Sequence, residues 1–101
     1  MTEEDFKKMK GQLVPVAKKE GVSYLALFGS RARGDAKKNS DFDLLVRFKK
    51  PITLFQLVAV EEEFKKSLGN KNKVDLVTEA SLSPKIRPYV MQDLKVIFHE
   101  E

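Results

Sequence analysis

The sequence has no cysteine and no tryptophan, and its one histidine is His99. Without cysteine there can be no disulfide, thiolate metal site or thiol nucleophile. With one histidine near the C-terminus, an imidazole-rich metal centre is excluded. Any bound metal must lean on oxygen ligands, which favours Mg²⁺, Mn²⁺ or Ca²⁺. Long apolar runs are also missing, and none approaches the roughly 20 residues of a membrane-spanning helix. The opening Met1-Thr2-Glu3-Glu4-Asp5 lacks the basic start and apolar core of a signal peptide. These absences agree with a reducing, cytoplasmic setting.

What is present suits a folded chain. Of 101 residues, 42% are hydrophobic and 34% charged, enough apolar surface for one compact domain over residues 1–101. The net charge of +4 mildly favours anionic ligands, but a solvated lysine-rich surface explains it as well.

Periodicity orders the chain as helix, strand, turn, strand, helix, strand, helix, strand. Thr2 to Glu20 has apolar residues at helical spacing, with Thr2 as cap, Gly21 as stop and Pro15 expected to kink or divide it. Val22 to Phe28 is a short apolar run, as in a central strand. Asp41 to Phe48 and Lys73 to Thr78 read as further strands. Leu54 to Leu68 reads as an amphipathic helix capped by Thr53, with Leu54, Leu57, Val58, Phe64 and Leu68 inward. Phe6, Phe55, Phe64 and Phe98 are expected in the core. Ser83-Pro84 predicts the start of a short helix strained by Pro88, and Lys95 to His99 a last strand. The expected class is α/β (α+β), one mixed sheet with helices packed on it.

The chemistry concentrates in Leu27 to Val46. Asp41 and Asp43 stand two apart in a strand and so share a face. Adjacent carboxylates repel, which a pure scaffold gains nothing from. A cation between them removes the repulsion, and Mg²⁺ is the natural choice. Asp75 interrupts another apolar strand. If Val74 and Leu76 face the core, Asp75 points the other way. Three carboxylates could then converge on one sheet face and hold one or two Mg²⁺ ions for phosphoryl-type transfer. The plain alternatives are an Asp41 in solvent at a strand start and an Asp75 exposed on an edge strand.

Gly29-Ser30 follows a buried strand directly. Glycine permits close backbone approach, and N–H groups of a helix starting here would favour phosphate oxygens. Arg31 and Arg33 add positive charge within reach of a polyphosphate. Lys37-Lys38 reads as a loop tip. Asp35-Ala36 stands where a Walker A motif needs Lys-Ser/Thr, and G-x-G-x-x-G is absent.

Gly29-Ser30, then residues 31 to 40, then Asp41-Phe42-Asp43 resembles the signature of the MNT family, the minimal nucleotidyltransferases of the DNA polymerase β superfamily. The flanking LFGSRARGDA and NSDFDLLV are similar too. The resemblance implies that Gly29 and Ser30 contact the triphosphate of ATP. It implies that Asp41, Asp43 and Asp75 ligate two Mg²⁺ ions and that AMP passes to an acceptor hydroxyl. It also implies a partner, since MNT proteins commonly pair with HEPN ribonuclease toxins as antitoxins. The small chain is expected to meet its acceptor as a folded partner. An antitoxin acting by contact alone remains open, as does transfer to a small molecule or a nucleic acid.

Overall fold

The computed structural model describes residues 2–37 and 40–100. Helix α1 (Glu3–Lys19) leads into strand β1 (Val22–Phe28), a four-residue helix α2 (Ser30–Arg33) and strand β2 (Phe42–Phe48). Helix α3 (Leu54–Ser67), strand β3 (Val74–Thr78), a 3₁₀ turn (Glu79–Ser81), helix α4 (Arg87–Gln92) and strand β4 (Lys95–His99) follow. The strands form one mixed sheet in the order β3-β2-β1-β4. β1 runs antiparallel to β2 and β4, and β2 runs parallel to β3. This is the α+β arrangement expected from the sequence. No helix among the described residues is long and apolar enough to cross a membrane.

Period-two alternation divides the sheet into two faces. Leu25, Leu27, Leu44, Val46 and Leu76 pack against Met9, Leu13 and Ala17 of α1 and Val60 and Phe64 of α3. The opposite face carries Tyr24, Phe28, Leu45 and Val77, covered in part by Leu82, Val90, Met91 and Leu94. All the long-helix packing is thus on one side, and the other side is only partly roofed.

Both long helices begin in capping boxes. Thr2 accepts from the Asp5 N–H while Asp5 accepts from the Thr2 N–H, and Thr53 and Gln56 repeat the exchange. Glu61 of α3 reaches the edge strand and accepts the Leu76 N–H at 2.9 Å.

Three expectations need correction. Of the kink or division expected at Pro15, division does not occur, and α1 runs through it as one helix. Pro15 and Gly11 are both exposed, so the Gly11 carbonyl it leaves unbonded faces water. The last helix starts at Arg87, not at Ser83-Pro84, and Pro88 lies in its first turn, where no N–H bond is required. The third concerns α3. Val60 and Phe64 are buried and Leu57 and Leu68 pack beside them, but Leu54, Phe55 and Val58 are exposed, Phe55 at 89%. Phe55 precedes Phe64 by nine residues, two and a half turns, and so lies on the opposite side of the helix. Lys37 is exposed; Lys38 lies outside the described residues.

The two phenylalanines of α3 should therefore respond differently to truncation. Phe64→Ala is expected to lose about 3–5 kcal/mol of folding stability. Phe55→Ala should stay within about 0.5 kcal/mol of wild type. Urea denaturation followed by circular dichroism checks both values.

Candidate active site

β1 delivers the chain to Gly29, whose backbone (φ 77°, ψ −157°) lies in a region open essentially to glycine alone. A Cβ there would also overlap the Asp43 carboxylate. The turn therefore sits directly on Asp43. The next turn closes as α2, with the Arg33 N–H bonded to the Gly29 carbonyl at 3.0 Å and the Gly34 N–H to that of Ser30 at 3.0 Å. The N–H groups of Ser30, Arg31 and Ala32 precede the first bond of that ladder and lie outside it.

Strand register sets the acids. Asp43 is paired with Phe28 of β1 on one side and with Asp75 of β3 on the other. Phe28, Asp43 and Asp75 form a row across three strands, with neighbouring strands about 4.8 Å apart. The row lies on the partly roofed face, because Leu44 and Leu76 occupy the packed one. Asp41 stands just ahead of β2, two residues before Asp43, and is exposed. Asp75 is exposed on the edge strand.

Asp43 is half-buried, and its pKa is raised. Burial is the main cause, followed by the charges of Asp75 and Asp41, while Arg33 opposes the shift. Asp43 thus senses both of the other acids. Even so, among the described residues no three acid or imidazole groups converge into a preformed cage. The donors are all hard oxygens, with like charges left largely uncompensated, and that chemistry suits a hard divalent cation drawing them together.

The two arginines part company. Arg33 is exposed on the acid side and pairs with Asp35 and with Asp93, each at 3.2 Å. Arg31 is not brought to the carboxylates. Its guanidinium donates to the Ser40 carbonyl at 3.1 and 2.7 Å and lies 4.0 Å over the Phe42 ring. Phe42 belongs to the packed face, so Arg31 grips the loop end immediately before Asp41 from behind. Residue type suggested phosphate contact for Arg31; only the path of the loop reveals its actual partners.

Sequence reasoning missed two contributors. Asp93 ties α4 to α2 through Arg33, and Glu61 holds the edge strand that carries Asp75. Neither sits in a motif, and both act across large sequence separations. A cleft of about 450 Å³ adjoins the turn, lined by Phe28, Gly29, Arg33, Tyr89, Gln92 and Asp93 among others. A larger one of about 810 Å³ opens at the other end of the sheet, beside Arg47, Pro51, Thr78 and Glu79. Its one acid, Glu79, is already paired with Arg47 and Arg87, so size does not locate the chemistry.

Two stability effects follow from this geometry. Gly29→Ala should cost about 1–3 kcal/mol through backbone strain, and adding Asp43→Ala should recover only the part due to the clash. A double-mutant cycle by denaturation measures the split. For Asp43 itself, a raised folded-state pKa means that stability falls as pH rises from the unfolded to the folded pKa. Asp43→Asn removes that loss. The metal-free variant should melt above wild type near about pH 7, with the gap closing toward about pH 4. Thermal melts across pH check the sign.

A nucleotidyltransferase domain model matches residues 10–97. The protein adenylyltransferase MntA of Thermococcus cleftensis is 38% identical over 74 residues, 73% of each chain. A solved structure of a candidate minimal nucleotidyltransferase is 30% identical, with a TM-score of 0.76 over 94% of this chain and 95% of that one. The MNT antitoxin complex with a tri-AMPylated HEPN toxin from Shewanella oneidensis gives a TM-score of 0.71 at 17% identity. That match covers 93% of this chain and 72% of the other, and is a likeness of fold. The family match spans nearly the whole chain, which belongs to the nucleotidyltransferase domain family and is an enzyme of the minimal, MNT type.

Proposed function

We propose that this chain, acting as one domain over residues 1–101, transfers AMP from ATP to a hydroxyl of a partner protein. We take the partner to be a HEPN ribonuclease toxin, neutralised in the cytoplasm by this antitoxin. The observation that carries the reading is the register that sets Asp43 level with Asp75, beneath the Gly29 turn.

Asp41, Asp43 and Asp75 are the residues that would hold Mg²⁺. When bound, Mg²⁺ supplies charge neutralisation of the triphosphate and a lower pKa for the attacking hydroxyl. Gly29 has no side chain to keep phosphate oxygens from the backbone. Ser30 offers its hydroxyl and N–H at the same turn. Arg33 stands on the acid side and would exchange its pairing with Asp35 or Asp93 for a phosphate oxygen. Asp75, exposed on the edge strand, is open to an incoming acceptor and would help receive its proton. The acceptor oxygen bonds to the α-phosphorus, and pyrophosphate leaves. Arg31 serves as a positioning residue, holding the Ser40 carbonyl so that Asp41 enters β2 in place.

The exposed apolar side of α3 supports a protein acceptor. Leu54, Phe55 and Val58 present apolar surface that the core does not use. The relative named protein adenylyltransferase and the AMPylated toxin in the fold neighbour point the same way. That surface would equally serve an antitoxin acting by contact alone, and one experiment separates the two.

The protein is incubated with α-³²P-ATP, Mg²⁺ and the product of its neighbouring gene. Label on the partner with wild type, falling about 10²-fold or more in Asp43→Ala/Asp75→Ala, is the expected result. Phe55→Glu should weaken partner binding by more than about tenfold and reduce labelling with it. Equal labelling by the carboxylate variant would contradict the proposed site. Absence of label, with tight binding by both proteins, would leave a contact antitoxin.

A further inference from the structure

The cleft beside the Gly29 turn has a lining that phosphate chemistry does not explain. Tyr89 of α4 forms part of its wall and is 72% exposed. Two contacts set the position of the helix that carries it. Val90 is buried in the cluster that includes Leu45, on the same sheet face as Asp43. Asp93 accepts from Arg33 at 3.2 Å, tying α4 to the turn after Gly29. An aromatic ring therefore stands in the open beside the predicted triphosphate turn, on a helix tied to it through Val90 and Asp93. Gln92 lines the same cleft, with an amide that can both donate and accept. The two charges in the lining, Arg33 and Asp93, are paired with each other, so the rest of the wall is neutral. A volume of about 450 Å³ lies within the range of small-ligand sites.

We propose that this cleft seats the nucleobase of the nucleoside triphosphate, with Tyr89 stacking on the ring and Gln92 reading its edge. Tyr89 and Gln92 are then the residues that set nucleotide preference. A planar, uncharged, hydrogen-bonding ligand matches the aromatic and amide lining; a further phosphate would meet no free cation there among the described residues. The inference rests on the nucleotidyl-transfer reading and adds to it the side of the turn on which the nucleoside lies.

The test compares two ligands by calorimetry, each with Mg²⁺: an ATP analogue that cannot be cleaved at the α-phosphate, and inorganic tripolyphosphate. Tyr89→Ala should weaken the analogue about tenfold and leave tripolyphosphate within about twofold. Tyr89→Phe keeps the stacking face and should bind like wild type. Gln92→Ala should reduce the preference between adenine and guanine nucleotides. Tyr24 and Tyr89 are the only tyrosines, so ring signals are easily assigned. The Tyr89 protons should move upfield with the analogue and stay put with tripolyphosphate.

Equal weakening of both ligands by Tyr89→Ala, or of neither, would overturn the inference. So would a Tyr89→Phe variant as weak as Tyr89→Ala. If wild type binds tripolyphosphate and analogue but the variants leave their ratio unchanged, only the base seat falls. If wild type binds neither, the nucleotidyl-transfer reading falls as well.

Discussion

Asp43 and Asp75 stand level on neighbouring strands, and Asp43, half-buried beside the other acids, bears the cost of it. Burial and like charge both raise the pKa of Asp43, and Gly29 closes over its carboxylate where no other residue fits. A sheet built only for stability would place an apolar side chain at position 43. The strain of this arrangement is local, and the rest of the molecule is organised to tolerate it. The packed face, with Leu13, Leu25, Leu44 and Phe64 fully buried, supplies the cohesion. The acid face can then remain open and electrostatically frustrated, which is the usual relation between a scaffold and a site.

Placement of the acids depends on contacts behind and beside them. Arg31 fixes the end of the loop before Asp41, and Glu61 bonds the edge strand one residue past Asp75. Arg33 and Asp93 fasten α4 over the turn. These groups need not touch a substrate to matter. They decide where three carboxylates stand relative to one glycine, and positioning of that kind accounts for much of the rate in transfer between bound reactants.

Much of this was legible in the sequence. Local rules operate at the caps, at Gly29 and in the strands, so Thr2, Thr53, Val22 to Phe28 and the alternation around Asp75 reported their structure directly. Asp41 and Asp43 could be paired on one face because a strand has period two. The rule that placed Asp75 opposite Leu76 is equally local. Helix α3 was misread where apolar character outweighed angle: Phe55 is hydrophobic, yet half a turn from the buried stripe. Arg31 and Asp93 were opaque because their partners are set by loop path and tertiary docking. The start of the last helix is ambiguous in sequence because two Pro positions, Pro84 and Pro88, both satisfy the rule for a helix start.

We propose that the Asp43 cluster is a cation site held in readiness. The most direct measurement is the titration of the Asp43 side-chain carboxyl carbon by NMR, with and without Mg²⁺. The expected result is a midpoint above that of an ordinary aspartate in metal-free protein and a fall when Mg²⁺ is added. An ordinary midpoint that Mg²⁺ leaves unmoved would contradict it.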